Sequence, residues 1–174
     1  MKPDIQDPRD GLSNSIRFLS NILDKSTAFT QHIDSQVNIL IGLSSLVFAF
    51  SATKMTGDNS TVFLILGLFA SVSTVISLLA IHPPRSMRKR GQRESLMYNK
   101  KINSFDTPAE YKKRLKDVLG NEDAITEQYA LEIYNMNKFY YRPKRALYKL
   151  ARNIFLAGIV FSIVAFLLEG WVRR

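Results

Sequence analysis

Three long stretches of this chain carry no charged residue, and a strongly basic segment separates the second from the third. They lie near positions 35 to 53, 59 to 84 and 154 to 168. From Ser35 to Thr53, Val37, Ile39, Leu40, Ile41, Leu43, Leu46, Val47, Phe48 and Phe50 supply apolar surface over a length that suits a bilayer helix. Between Asn59 and Pro84, Val62, Phe63, Leu64, Ile65, Leu66, Leu68, Phe69, Val72, Val75, Ile76, Leu78, Leu79 and Ile81 form the stronger run. At roughly 0.3 to 0.6 kcal/mol each, such residues favour insertion by several kcal/mol. The third run, Ile154 to Leu168, reaches only about 22 Å at about 1.5 Å per residue, against about 30 Å of hydrocarbon. Arg152 snorkelling at one end and Trp171 at the interface on the other extend it to a complete span; a helix lying along the membrane is the alternative.

The fold class these runs predict is all-α and integral to a membrane, with three transmembrane helices and a small cytoplasmic helical region. The expected organisation is a cytoplasmic amphipathic helix over 1–34, a transmembrane hairpin over 35–84, a basic cytoplasmic helical segment over 85–152, and a third span with a short tail over 153–174. The first thirty residues are polar and contain Asp4, Asp7, Asp10 and Asp24, which is not the pattern of a cleavable signal, so the first span is expected to act as its own insertion signal.

Charge sets the expected orientation. The net charge is +9, and all of the excess falls within residues 85–152. Arg85, Arg88, Lys89, Arg90 and Arg93 follow the second run, and Lys138, Arg142, Lys144, Arg145, Lys149 and Arg152 precede the third, whereas the loop after the first run offers only Lys54. The N-terminus and residues 85–152 are therefore expected to be cytoplasmic, with the short loop and the C-terminus outside. Basic flanks beside apolar spans also argue for lipid rather than nucleic acid as the partner of this charge.

Local signals place further helices. Asp7 as N-cap with Pro8 at the first helical position opens an amphipathic helix showing Leu12, Ile16, Leu19 and Leu23, with no proline or glycine between Leu12 and Ile41 to separate it from the first span. Where it enters the bilayer stand His32, Asp34, Gln36 and Asn38, a polar cluster that is either an interfacial cap or a bias on a gate. Thr107, Pro108 and Glu110 make a capping box for a helix that shows Tyr111, Leu115, Val118 and Leu119 and ends at Gly120. A second helix begins near Asn121, with Ile125, Tyr129, Ile133, Met136 and Tyr140 on one stripe, and Pro143 is expected to kink or restart it before Leu147, Leu150 and Ile154 carry it into the membrane. Two cytoplasmic helices bury little alone, so the N-terminal helix or another copy of the chain must cover that stripe. Gly67 with Ser71, Ser73 with Ser77, and Gly158 with Ser162 allow close helix approach, within one chain or in a homo-oligomer.

Enzymatic chemistry finds no foothold. There is no cysteine, no Gly-rich phosphate loop, no nucleophile elbow, no His-rich ligand set and no carboxylate pair in an expected pocket, so neither an enzyme nor a metal or cofactor site is expected. The aromatic series Tyr129, Tyr134, Phe139, Tyr140, Tyr141 and Tyr148, interleaved with Arg142, Lys144 and Arg145, has two readings. It is an interfacial aromatic belt above a basic flank, or a site where a ring stacks on a base and an arginine fork holds a phosphate.

The segment from Asp34 through Ile41, the helix start Thr107, Pro108, Ala109, Glu110, Tyr111, and the run from Ile133 through Tyr141 leading to Ala146, Leu147 and Leu150 resemble the Pycsar transmembrane effector family of bacterial antiphage defence. The resemblance implies that a partner cyclase makes cyclic CMP or cyclic UMP during infection, and that the effector then impairs the inner membrane and causes abortive infection. On that reading, Arg114, Arg142 and Arg145 are candidates for the phosphate and Tyr140 for stacking on the base. The rival expectation is a constitutive membrane-anchored adaptor whose cytoplasmic helices dock a protein partner and sense no nucleotide.

Overall fold

The uninterrupted stretch before the first apolar run folds as the sequence permits, into one helix that does not stop at the membrane boundary. The computed structural model describes residues 8–56, 60–84, 86–87 and 93–172, with side chains from 14 to 171; the expected Asp7 cap and the Leu12 side chain lie outside them. Helix α1 runs Pro8–Lys54 without a break. Ile16, Leu19 and Leu23 are half-buried on one face, as an amphipathic stripe requires. Ser26, Thr27 and Thr30 donate their hydroxyls to the carbonyls of Ile22, Leu23 and Ser26, so polar residues are satisfied within the helix.

Helix α2 covers Ser60–Ile81 and gives way before Pro83 and Pro84, which cannot continue it. A short helix α3 follows at Asn99–Ile102. Helix α4, Pro108–Leu119, starts as its cap dictates: the Glu110 N–H donates to Thr107 Oγ1 at 3.2 Å, and at the other end the Gly120 N–H reaches Lys116 O at 3.1 Å. Tyr111, Leu115 and Val118 are half-buried, but Leu119, about 100° further round the helix, stays exposed. Helix α5, Glu122–Asn135, is capped by Asn121, whose side-chain oxygen accepts from the Asp123 and Ala124 N–H groups.

The effect of Pro143 is displaced upstream of the proline. A π-helical turn occupies Met136–Tyr141, and helix α6 then runs Arg142–Val172 with Pro143 buried near its start. Proline has no N–H to give the carbonyl four residues back, that of Phe139, and its ring crowds that oxygen; a wider turn just before it relieves both problems. Helix α6 extends beyond both ends of the short apolar run 154–168.

These elements divide into two compact units, residues 1–30 with 89–140 and residues 31–88 with 141–174. The chain passes from one to the other inside α1 and at the end of the π turn.

The second unit has small residues inside and large apolar ones outside. Its interior holds Ser44, Ser51, Gly67, Ala70, Ser73, Ser77, Ala80, Ala151, Gly158 and Ser162 together with Ile33, Val37, Leu40, Leu147 and Phe155. Facing outward are Ile39, 69% exposed, Leu46, Val75, Phe161 and Leu167. Left in water, each such side chain forfeits about 1.5 to 3 kcal/mol of burial, a loss that hydrocarbon removes. Small inward residues let backbones approach. Ser73 Oγ donates to Ala151 O at 3.0 Å, Ser162 Oγ to Val62 O at 3.4 Å, and the Ser44 and Thr74 hydroxyls meet at 2.8 Å. A Cβ on Gly158 would strike the Cβ of Phe69, and one on Gly67 would lie 3.2 Å from the Cβ of Ser51. Three helices of this protein are long and apolar enough to cross a membrane, and among the described residues there is no strand.

Candidate functional site

In the first unit the chain between the apolar hairpin and α4 lies along α5. Arg93 pairs with Glu127 at 3.0 Å and its carbonyl accepts from the Asn135 amide, Ser95 Oγ donates to the Glu132 carboxylate, and the Leu96 N–H donates to Gln128 Oε1 at 2.8 Å. Ser95 and Leu96 are buried by this docking. The N-terminal part of α1 covers α5 and the π turn from elsewhere: the Asn137 amide donates to Ser26 Oγ at 3.0 Å, and the Thr27 hydroxyl lies 3.6 Å from Met136 Sδ. These contacts bring the N-terminal helix and the 93–98 segment onto α5 and the π turn, whose stripe residues Ile125, Tyr129, Ile133, Met136 and Tyr140 are half-buried.

Between these pieces a cleft of about 260 Å³ opens, lined by Thr30, Met97, Tyr98, Asn99, Glu132, Met136 and Tyr140. Glu132, Met136 and Tyr140 follow one another at one-turn intervals along a single face. Tyr98 and Tyr140 form the aromatic part of the wall, with ring centroids 6.1 Å apart, planes inclined at 56° and the two hydroxyls hydrogen-bonded. The lining thus offers two aromatic faces, a thioether wall, a carboxylate, an amide and a hydroxyl, a set that accepts and donates around a small flat polar ring.

Of the residues singled out for a ligand, Tyr140 alone lines this cleft. Arg114 belongs to the same unit and stands exposed on α4, on the face that also carries Lys112, Lys113 and Lys116. Arg142 and Arg145 belong to the second unit, both exposed at the start of α6, with the Arg145 guanidinium 5.8 Å from the centre of the Tyr141 ring. Tyr98, Asn99, Glu132 and Thr30 were not foreseen. The spacing of Glu132 from Met136 and Tyr140 carried a usable signal, whereas Thr30 and Tyr98 arrive only through tertiary packing.

The membrane-entry polar cluster resolves into two contacts. His32 Nε2 and Gln36 Nε2 are 3.0 Å apart, one turn along α1, and Asn38 is exposed. Asp34 Oδ1 receives the Lys144 ammonium at 2.6 Å, with the lysine side chain only 14% exposed and the aspartate 41%. This ion pair ties α1 to α6 beside the cluster of Ile33, Val37, Ala80 and Leu147, and it gives the carboxylate at the head of the first span the partner that such a position demands.

Comparison with curated proteins and with solved structures finds no match. Among protein families, the model of PycTM, the Pycsar effector protein domain, matches residues 10–169. That span takes in the α1 polar cluster, the cleft, the π turn and nearly all of α6, and on it the chain belongs to the Pycsar effector protein domain family.

Proposed function

We propose that this protein is a membrane-impairing effector switched on by a cyclic pyrimidine nucleotide, cyclic CMP or cyclic UMP, bound in the cleft between α1, the 97–99 segment and the π turn. Membership of the Pycsar effector family supports the antiphage role. The observation that carries the ligand reading is the cleft itself, whose Tyr98 and Tyr140 faces, Glu132 carboxylate and Asn99 amide fit one base. A ring stacks on Tyr140, and the Watson–Crick edge meets Glu132 and Asn99. The phosphate is assigned to arginine, with Arg114, Arg142 and Arg145 as the candidates.

The switch is the π turn. Π turns are wide, marginal segments that recur at functional sites, and this one contains Met136 and Tyr140 of the cleft and leads directly into α6. A nucleotide shifts its conformation only by binding one state more tightly than the other. The effector acts in the inner membrane, with its basic segment on the cytoplasmic side where a cyclase product accumulates, and copies of the chain assemble there.

Purified protein in detergent, titrated with cyclic CMP, cyclic UMP and cyclic AMP, is expected to bind a pyrimidine nucleotide, and Tyr140→Ala is expected to weaken that binding by about tenfold, the loss of one stacked base. Of the single variants Arg114→Ala, Arg142→Ala and Arg145→Ala, the one that removes the phosphate contact is expected to abolish nucleotide-triggered toxicity with membrane insertion intact. Absence of binding to all three nucleotides overturns the reading and leaves the constitutive adaptor in its place.

A further inference from the structure

The interior of the membrane unit contains hydroxyls that close packing does not need. Ser44, Ser51, Ser73, Ser77 and Ser162 are buried between α1, α2 and α6, and the first four have no exposed surface. Close approach requires only small residues, which Ala70, Ala80, Ala151, Gly67 and Gly158 provide at neighbouring positions. Ser44, Ser73 and Ser162 hydrogen-bond within the bundle, but the Ser51 and Ser77 hydroxyls are buried and find no partner among the described residues. Alanine in either place would remove an oxygen whose desolvation nothing offsets. On the same face of α6, two turns beyond Ser162, Glu169 carries a buried carboxylate oxygen that is likewise unpartnered.

We propose that this serine-lined seam, closed in the present arrangement, is the wall of a water-filled path for small hydrated cations in the active state, with the Glu169 carboxylate near one end selecting for positive charge. The inference rests on the membrane-impairing reading above and specifies its form. Separation or rotation of α1, α2 and α6 wets the hydroxyls, and water supplies the partners that Ser51 and Ser77 lack. Conduction then follows from a narrow polar lining of oxygen ligands, with Ile39, Val75 and Leu167 still facing lipid. The bilayer is impaired by a defined leak rather than by general dissolution.

The absence of cysteine from the sequence makes the seam directly addressable. Single variants Ser51→Cys and Ser77→Cys, with Val75→Cys and Leu79→Cys as lipid-facing controls, are reconstituted in phosphatidylethanolamine–phosphatidylglycerol vesicles bearing a potassium gradient. Leak is triggered with cyclic CMP or cyclic UMP and challenged with a cationic methanethiosulfonate. The reagent is expected to cut the leak about tenfold at positions 51 and 77 and to leave the controls unchanged. A triggered leak insensitive to reagent at both seam positions overturns the path and leaves the membrane-impairing reading standing. No triggered leak from the unsubstituted protein overturns both. The double variant S51A/S77A, which removes two oxygens and nothing else, inserts normally and is expected to lose most of its leak; an undiminished leak counts against the seam. Glu169→Gln moves the reversal potential toward zero, and an unchanged reversal potential removes the selectivity role.

Discussion

The Asp34–Lys144 contact concentrates more consequence in two side chains than any other pair described here. Lys144 is nearly buried and Asp34 is not, so removing the aspartate strands an ammonium, whereas removing the lysine leaves a carboxylate that still reaches water. Asp34→Asn is therefore expected to destabilise the detergent-solubilised protein by about 2 kcal/mol, and Lys144→Gln by less. The double variant should lose less than the sum of the two single losses, by a coupling of about 1 kcal/mol, read from thermal unfolding of all four proteins. Strict additivity would show that the pair contributes nothing beyond its separate charges. Rings at the cleft support a second expectation. Tyr140→Phe keeps the stacking face and loses the hydroxyl that meets Tyr98, so nucleotide binding measured by titration should fall by much less than in Tyr140→Ala.

Helix packing in the membrane unit turns on Gly158, whose missing side chain is the space Phe69 fills, while Phe69 also packs against Phe161 at 5.7 Å between ring centres. The obstruction is the Phe69 Cβ, close to its own backbone, so rotation of the ring cannot relieve it. Gly158→Ala is expected to cost about 1 to 3 kcal/mol despite its gain in helix propensity, and Gly42→Ala, where a Cβ meets nothing, is the control that should gain or stay level. Most of this level of structure was legible in the residues. Thr107 with Pro108, Asn121 and Gly120 declared the ends of α4 and α5 by local hydrogen bonding, and the apolar runs declared the spans by length. The small residues at 73, 77, 158 and 162 declared the inner face by size, although Ser71, paired on paper with Gly67, bonds back to Leu68 O on its own helix. What local pattern could not reveal was the site. The 93–98 segment has no periodicity of its own and is shaped by Gln128 and Glu132 accepting its donors, and the π turn is an accommodation to Pro143 over a register that reads as ordinary helix.

For the whole molecule the governing term is solvent. One unit keeps exposed lysines and arginines on α4 and buries its apolar stripe only halfway, in the manner of a domain bathed in water; the other exposes leucine, isoleucine, valine and phenylalanine along three helices. The two surfaces demand different media, and the distribution of basic residues predicts which side of the bilayer receives the first. Residues 85–152 hold the entire excess of positive charge, whereas Lys54 is the sole cation between the first two apolar runs. A reporter inserted after Lys54 is therefore expected to respond from the periplasmic side of bacterial inner membranes, and one inserted at Asp106, between α3 and α4, only from the cytoplasmic side. The protein itself should sediment with membranes and be released by detergent but not by high salt, because its hold on the bilayer is apolar and screening does not touch it. Release by salt alone would mean that the basic segment, and not the three helices, makes the attachment. A reporter at Asp106 reachable from outside would place the cleft beyond the reach of any cytoplasmic cyclase and remove the proposed trigger with it.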